Sequence, residues 1–207
     1  MLLRLRVLPF VAACLVAALV LQHSCNTAYA QSRDGRAAAA TSKLPNATTP
    51  SDTLFDFLNG EWRVEASPRI SKLAALVHGV PRFTGHWRGN RNENGVSDEL
   101  RLAKSDGATH LVLRFQRVFD SSARVWNVRE IDRSGAASAA MRPMVAKGEI
   151  IIPAANRVAR SRFVERTPNH FRYLREVSND GGRTWEEPVL VVTAERIPAR
   201  GTPTVPR

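Results

Sequence analysis

The sequence predicts an all-β, antiparallel barrel or sandwich, on three observations. From Arg82 onward, apolar and polar residues alternate with a period of two in one run after another. The runs are short and near-regularly spaced, and turns rich in Asp, Asn, Ser and Gly separate them. Residues 171–197 read as a complete β-hairpin. Alternating runs at 171–177 and 189–196 flank the turn Ser178-Asn179-Asp180-Gly181-Gly182-Arg183-Thr184-Trp185. Its glycines accept positive φ, and the Asp180 carboxylate can accept amides that the turn leaves unpaired. β-Branched content and turn density argue against a helical fold.

The first thirty residues read as a secretory signal peptide, with a charged start at Arg4 and Arg6 and an apolar run from Val7 to Leu21. Ala28-Tyr29-Ala30 then forms a small-x-small cleavage site. The run is too short for a comfortable membrane span, and Gln22-His23-Ser24 is a poor context for acylation of Cys25. The expected location is therefore periplasmic or extracellular, with no lipid anchor and no transmembrane segment once the leader is removed. Both cysteines, Cys14 and Cys25, lie in this leader, which excludes disulfides, thiol chemistry and cysteine-ligated metals from the mature chain. Residues 31–51, rich in Ala, Ser, Thr and Asn, read as a disordered linker, and 199–207 as a disordered tail. The folded domain is expected over 52–198, as a monomer or weak dimer.

Within it, 52–58 reads as a short helix with Leu54, Phe55 and Leu58 on one side, ended by Asn59-Gly60. Residues 61–65 alternate and form a first strand, with Trp62 and Val64 inward. Ile70, Leu73, Ala74 and Val77 recur at helical spacing between Pro68 and Pro81, which predicts a second helix of about two turns. Eight further strands are expected, at 83–88, 98–103, 110–119, 125–131, 144–152, 157–166, 170–177 and 189–196.

Three local patterns together resemble the calycin-type, lipocalin-like barrels, and in particular an uncharacterised family of exported bacterial proteins. They are Phe55-Asp56-Phe57-Leu58-Asn59-Gly60-Glu61-Trp62, Phe119-Asp120-Ser121-Ser122-Ala123-Arg124-Val125-Trp126, and 178–185 with its last strand ending in Arg196. The resemblance implies a closed β-barrel with one or two short N-terminal helices, its first and last strands paired, Trp62 plugging one end and Arg196 lying over the indole. The segment 68–81 departs from that pattern. Residues 178–185 also match the Ser-x-Asp-x-Gly-x-Thr-Trp box of sialidase propellers, but no second copy occurs. Ser178, Asp180, Gly182, Thr184 and Trp185 therefore read as a hairpin device, with Trp185 packing over the turn.

The chain carries a formal net charge of +11, and losing Arg4 and Arg6 with the leader leaves +9. The basic residues, twenty-six Arg against four Lys, are spread singly along strands. With abundant Ala, that excess of Arg reads first as a GC-rich coding bias; no dense run marks a nucleic-acid site, and a basic surface meeting anionic lipid is the better of the two partner readings. No phosphate loop, His-Glu-x-x-His or Gly-x-Ser-x-Gly occurs. His78, His86, His110 and His170 stand alone, so no catalytic constellation, metal site or cofactor is expected. Carboxylates beside arginines (Glu130, Glu165, Glu176) read as solvated sheet faces. Two arginines are less ordinary. Arg117 shares a face with Leu111, Leu113, Phe115 and Phe119, and Arg175 shares one with Phe171, Tyr173 and Val177. Guanidiniums on apolar barrel faces suit the anionic head of a small, largely apolar, fatty-acid-like ligand, with Tyr173, Phe115 and Trp87 lining the site. The alternatives are rim arginines on a filled barrel acting in envelope interactions, or a barrel enzyme using His86 or His110 as base.

Overall fold

The computed structural model describes residues 51–154 and 158–198. The expected leader, linker up to residue 50 and tail lie outside them. Ten strands form one antiparallel sheet: β1 (Gly60–Pro68), β2 (Phe83–Asn92), β3 (Gly95–Ala103), β4 (Thr109–Asp120), β5 (Val125–Ile131), β6 (Met144–Ala146), β7 (Glu149–Pro153), β8 (Ala159–Val164), β9 (His170–Val177) and β10 (Leu190–Arg196). Their order is β5-β4-β3-β2-β1-β10-β9-β8-β7-β6, so the first and last strands pair at the middle of the sheet, from Trp62↔Arg196 to Pro68↔Leu190. The sheet curls into a half-barrel. Arg175 on β9 comes within 3.6 Å of Glu130 on β5 across the concave side, although five strands lie between them in the ladder. Among the described residues helix is scarce: a 3-10 turn at Asp56–Leu58 and one α-helix, α1 (Lys72–His78).

Alternation places the core. Trp62, Val64 and Ala66 of β1 are buried, as are Trp87 of β2, Leu100 and Leu102 of β3, Trp126 and Val128 of β5, and Phe171 and Tyr173 of β9. These face the concave side, while their odd or even neighbours face outward. The chain also works across the gap between the two edge strands: after β5 it folds back, and Val128 and Met141 exchange both backbone hydrogen bonds at 2.9 and 2.8 Å.

Two expectations change and a third holds. The expected strand 144–152 is two strands, because Lys147 and Gly148 both take positive φ (52° and 78°) and turn the chain so that Ala146 pairs with Glu149. Lys-Gly lacks the Asn or Asp that signals such a turn, so the run reads straight through in sequence. The expected helix over 52–58 is turns closed by the three-residue 3-10 segment. Leu54, Phe55 and Leu58 are buried all the same, and packing rather than a helical ladder holds a segment too short to nucleate. The helix of about two turns expected between Pro68 and Pro81 forms as Lys72–His78, with Ser71 Oγ accepting the Ala74 amide at its start and Gly79 (φ 72°) ending it. None of its residues is buried.

Candidate functional site

One end of the half-barrel is stoppered by the residues ahead of β1. Gly60 enters the strand at φ 105°, and Gly89 across from it lets the Leu58 carbonyl approach where a Cβ would lie 2.1 Å away. Phe55 sits edge-on to Trp126 at 5.0 Å, Phe57 meets Phe163 and Phe171 at 5.4 Å, and Trp62 meets Phe171 at 4.7 Å. The Arg196 guanidinium lies 4.1 Å over the Trp62 ring. It donates to three carbonyls, Pro168 at 2.6 Å, Asn59 at 2.8 Å and Phe57 at 2.9 Å. Those donors satisfy carbonyls that the short turn leaves outside any ladder, and the aromatic face below takes the remaining charge.

Further in, the ring system continues. Trp87 touches Phe163, Phe171 and Tyr173 at 5.7, 5.4 and 5.3 Å, and Phe163 touches Tyr173 at 5.2 Å. Arg117 enters this wall from β4 and is 1 % exposed. Its guanidinium stands 4.7 Å from Phe55, 4.9 Å from Phe115 and 5.4 Å from Phe163. Arg117 is not a bare cation: Nε and Nη2 donate to the two oxygens of Asp98 at 2.8 and 2.9 Å, a two-point match between planar groups. Burial pushes the Asp98 carboxyl above the usual carboxylate range, while Arg117 pulls it back. The Trp87 indole pulls the same way from close by, although its Nε1–H reaches no acceptor in hydrogen-bond geometry. Arg117 Nη1 is likewise buried without an acceptor.

Around the buried Tyr173 the concave face becomes polar. Its hydroxyl lies 2.8 Å from Ser161 Oγ, and burial raises the phenol above its ordinary pKa against the pull of Arg175. Arg175 and Glu130 remain about a third exposed where they meet, at 31 % and 35 %. Arg117, Phe115, Trp87 and Tyr173 thus gather in one buried cluster, with Arg175 on the same face at a wetter place. Asp98, Glu130, Ser161, Phe55 and Phe163 belong to the same assembly, although the sequence reading set Glu130 on a solvated face, Phe55 on the apolar side of the first short segment, and passed over the other three. The signal for two of them was there: Asp98 stands in the alternating stripe of Val96, Leu100 and Leu102, and Glu130 in that of Trp126 and Val128.

No protein-family model matches the chain, and no curated protein does. The arrangement therefore rests on its own chemistry. Among the described residues no group of three His, Cys, Asp or Glu side chains is placed to hold a metal ion. His110 stacks on Phe83 at 4.4 Å, and burial lowers its pKa, with Lys104 adding to the effect. His170 hydrogen-bonds Glu195 at 2.7 Å on the strand pair β9–β10. Neither is joined to a nucleophile among the described residues.

The hairpin turn is polar work throughout. Asp180 accepts the amides of Arg183 and Thr184 at 2.9 Å, the Thr184 hydroxyl at 2.7 Å and the Ser178 hydroxyl at 2.8 Å. Ser178 Oγ in turn accepts the Gly182 amide at 2.7 Å. The Thr184 bonds, then that of Ser178, hold the Asp180 carboxyl far below its usual range. The Trp185 ring carries the Arg160 guanidinium of β8 at 4.2 Å. That arginine and Arg162 both bind Glu176, and Arg162 also binds Glu149 at 2.6 Å. Glu176 is consequently 4 % exposed and not solvated, since two guanidiniums neutralise it on the convex side of the sheet.

Proposed function

We propose that the mature chain is an exported, calycin-like carrier whose half-barrel holds a small, largely apolar, anionic ligand in its concave interior. The observation that carries this reading is the buried Arg117 guanidinium: it sits among three aromatic rings, Nε and Nη2 each donate once to Asp98, and Nη1 has no acceptor among the described residues. A buried donor left unpaired costs about 1–3 kcal/mol, and a ligand oxygen or a trapped water would relieve it. In this reading Tyr173, Ser161 and Arg175 bind the ligand's polar head. Trp87 and Phe115 line the apolar part, and Trp62 under Arg196 seals the far end. The closed barrel of that family would have its seam between β5 and β6.

Dodecanoate is the probe. Native mass spectrometry of the protein purified from its host is expected to show a co-purified small molecule, and calorimetry a saturable dodecanoate site. Arg175→Ala, a change at a partly exposed position, is expected to weaken it about tenfold, the loss of one charge-assisted hydrogen bond. An empty mass spectrum together with a flat titration would overturn the proposal.

A second reading has its own support. The rings of Trp62, Trp87, Phe163, Phe171 and Tyr173 contact one another directly, as in a barrel filled by its own side chains. A filled half-barrel acting through its surface would give that flat titration.

A further inference from the structure

The β1–β2 connection holds the most exposed apolar residues of the described chain. Leu73 is 72 % exposed, Leu76 83 %, Val77 64 % and Val80 55 %. They ride on α1 and the residues just after it, and the helix buries none of its own side chains. Four large apolar side chains held in water on one seven-residue helix and its exit are costly unless something covers them. The charge around them identifies the cover. From Ala66 to Asn92 the chain has no Asp or Glu, while Arg69, Lys72 and Arg82 flank the apolar residues and His78 stands among them. Arg69 is engaged by Glu186. Lys72 and Arg82 are exposed, and no carboxylate pairs with either among the described residues.

We propose that α1 and its flanks form a membrane-docking loop. Leu73, Leu76, Val77 and Val80 enter the interface of an anionic bilayer, and Lys72 and Arg82 meet its headgroups. Apolar burial and attraction to anionic lipid add in such a contact, and long basic side chains reach back to the headgroups from an inserted segment. The overall charge of +11 favours the same partner. Two other occupants fit less well. A symmetric second copy would set one cationic patch without carboxylates against another. Residues 31–50 bring Arg33, Arg36 and Lys43 against a single Asp34, again like charge on like. The loop leaves β1 at Pro68, the end opposite the Trp62–Arg196 stopper. This inference does not depend on a ligand inside the half-barrel.

The test uses the full chain and vesicles of phosphatidylglycerol mixed with phosphatidylcholine, against phosphatidylcholine alone. The leader's own apolar run makes a local readout necessary, so amide exchange is followed over residues 69–82. Protection of that segment is expected with anionic vesicles only, and it weakens as salt is raised. Leu73→Ser/Leu76→Ser and, separately, Lys72→Glu/Arg82→Glu are expected to keep the thermal midpoint and to abolish the protection. Each should reduce vesicle affinity by more than about tenfold. Protection already present without vesicles would assign the cover to the chain itself. A dimer broken by the serine variants would assign it to a second copy. Equal protection with both vesicle types, or none with either, removes the lipid. Any of these outcomes overturns the proposal.

Discussion

Leu54, Phe55 and Leu58, just before β1, are buried, whereas Leu73, Leu76 and Val77, just after it, stand in the open. Both segments place apolar residues at helical spacing, and both are short. The difference lies in what each finds beside it. The first reaches a concave end lined by Trp126, Phe163 and Phe171, with Gly60 and Gly89 making room for its backbone. The second reaches the opposite end of β1, where its apolar side chains project into solvent. Periodicity reports that a helix face is apolar; it does not report whether a matching surface exists. The first segment behaves as core although it scarcely forms a helix. The second is a proper capped helix that contributes nothing to the core.

Substitutions on the two segments should therefore differ by several kcal/mol. Phe55→Ala removes a ring that is fully buried and touches Trp126, Phe163 and Arg117, and is expected to cost about 3–5 kcal/mol in chemical denaturation. A cost below about 1 kcal/mol would show that the stopper is not part of the cooperative core. Asp98→Ala probes the polar group that the stopper covers. It strands a buried guanidinium and should also cost about 3–5 kcal/mol, whereas Asp98→Leu with Arg117→Met should recover most of that loss. If the double variant is no better than the single, the pair is held for more than mutual neutralisation.

Arg196→Ala is expected to cost about 2 kcal/mol, since three carbonyls and the Trp62 face lose one partner together. Arg196→Lys should recover only part, because a single ammonium cannot serve three carbonyls with a planar fork. The smallest effect belongs to the other segment. Leu76→Ser, at a position 83 % exposed, should leave the unfolding midpoint within about 0.5 kcal/mol of the parent. A large loss there would mean that α1 is covered in solution and that the contrast between the two ends is false.

How much was legible beforehand follows the range of the interactions concerned. Alternation locates all the long strands because facing is a property of neighbouring residues. The Ser178–Trp185 turn is legible because Asp180 and Ser178 bond within four residues of themselves. Lys147-Gly148 is not, because positive φ at a lysine is imposed by its surroundings. Arg117 is recognisable as an unusual residue on an apolar face. Its partner is not, because Asp98 is nineteen positions away and reaches it only through the register of β3 on β4.

The order of residues alone determined the class of fold, the hairpin and the inward faces of the long strands, whereas the meeting of Trp62 with Arg196 belongs to the pairing of β1 with β10. Tertiary structure alone decided which apolar segment would be stoppered and which left bare, and it set five strands between Arg175 and Glu130 before bringing them within 3.6 Å. The reason is curvature. A strand's face is set by its own two-residue repeat, but the meeting of distant faces depends on the twist and shear that all ten strands accumulate together.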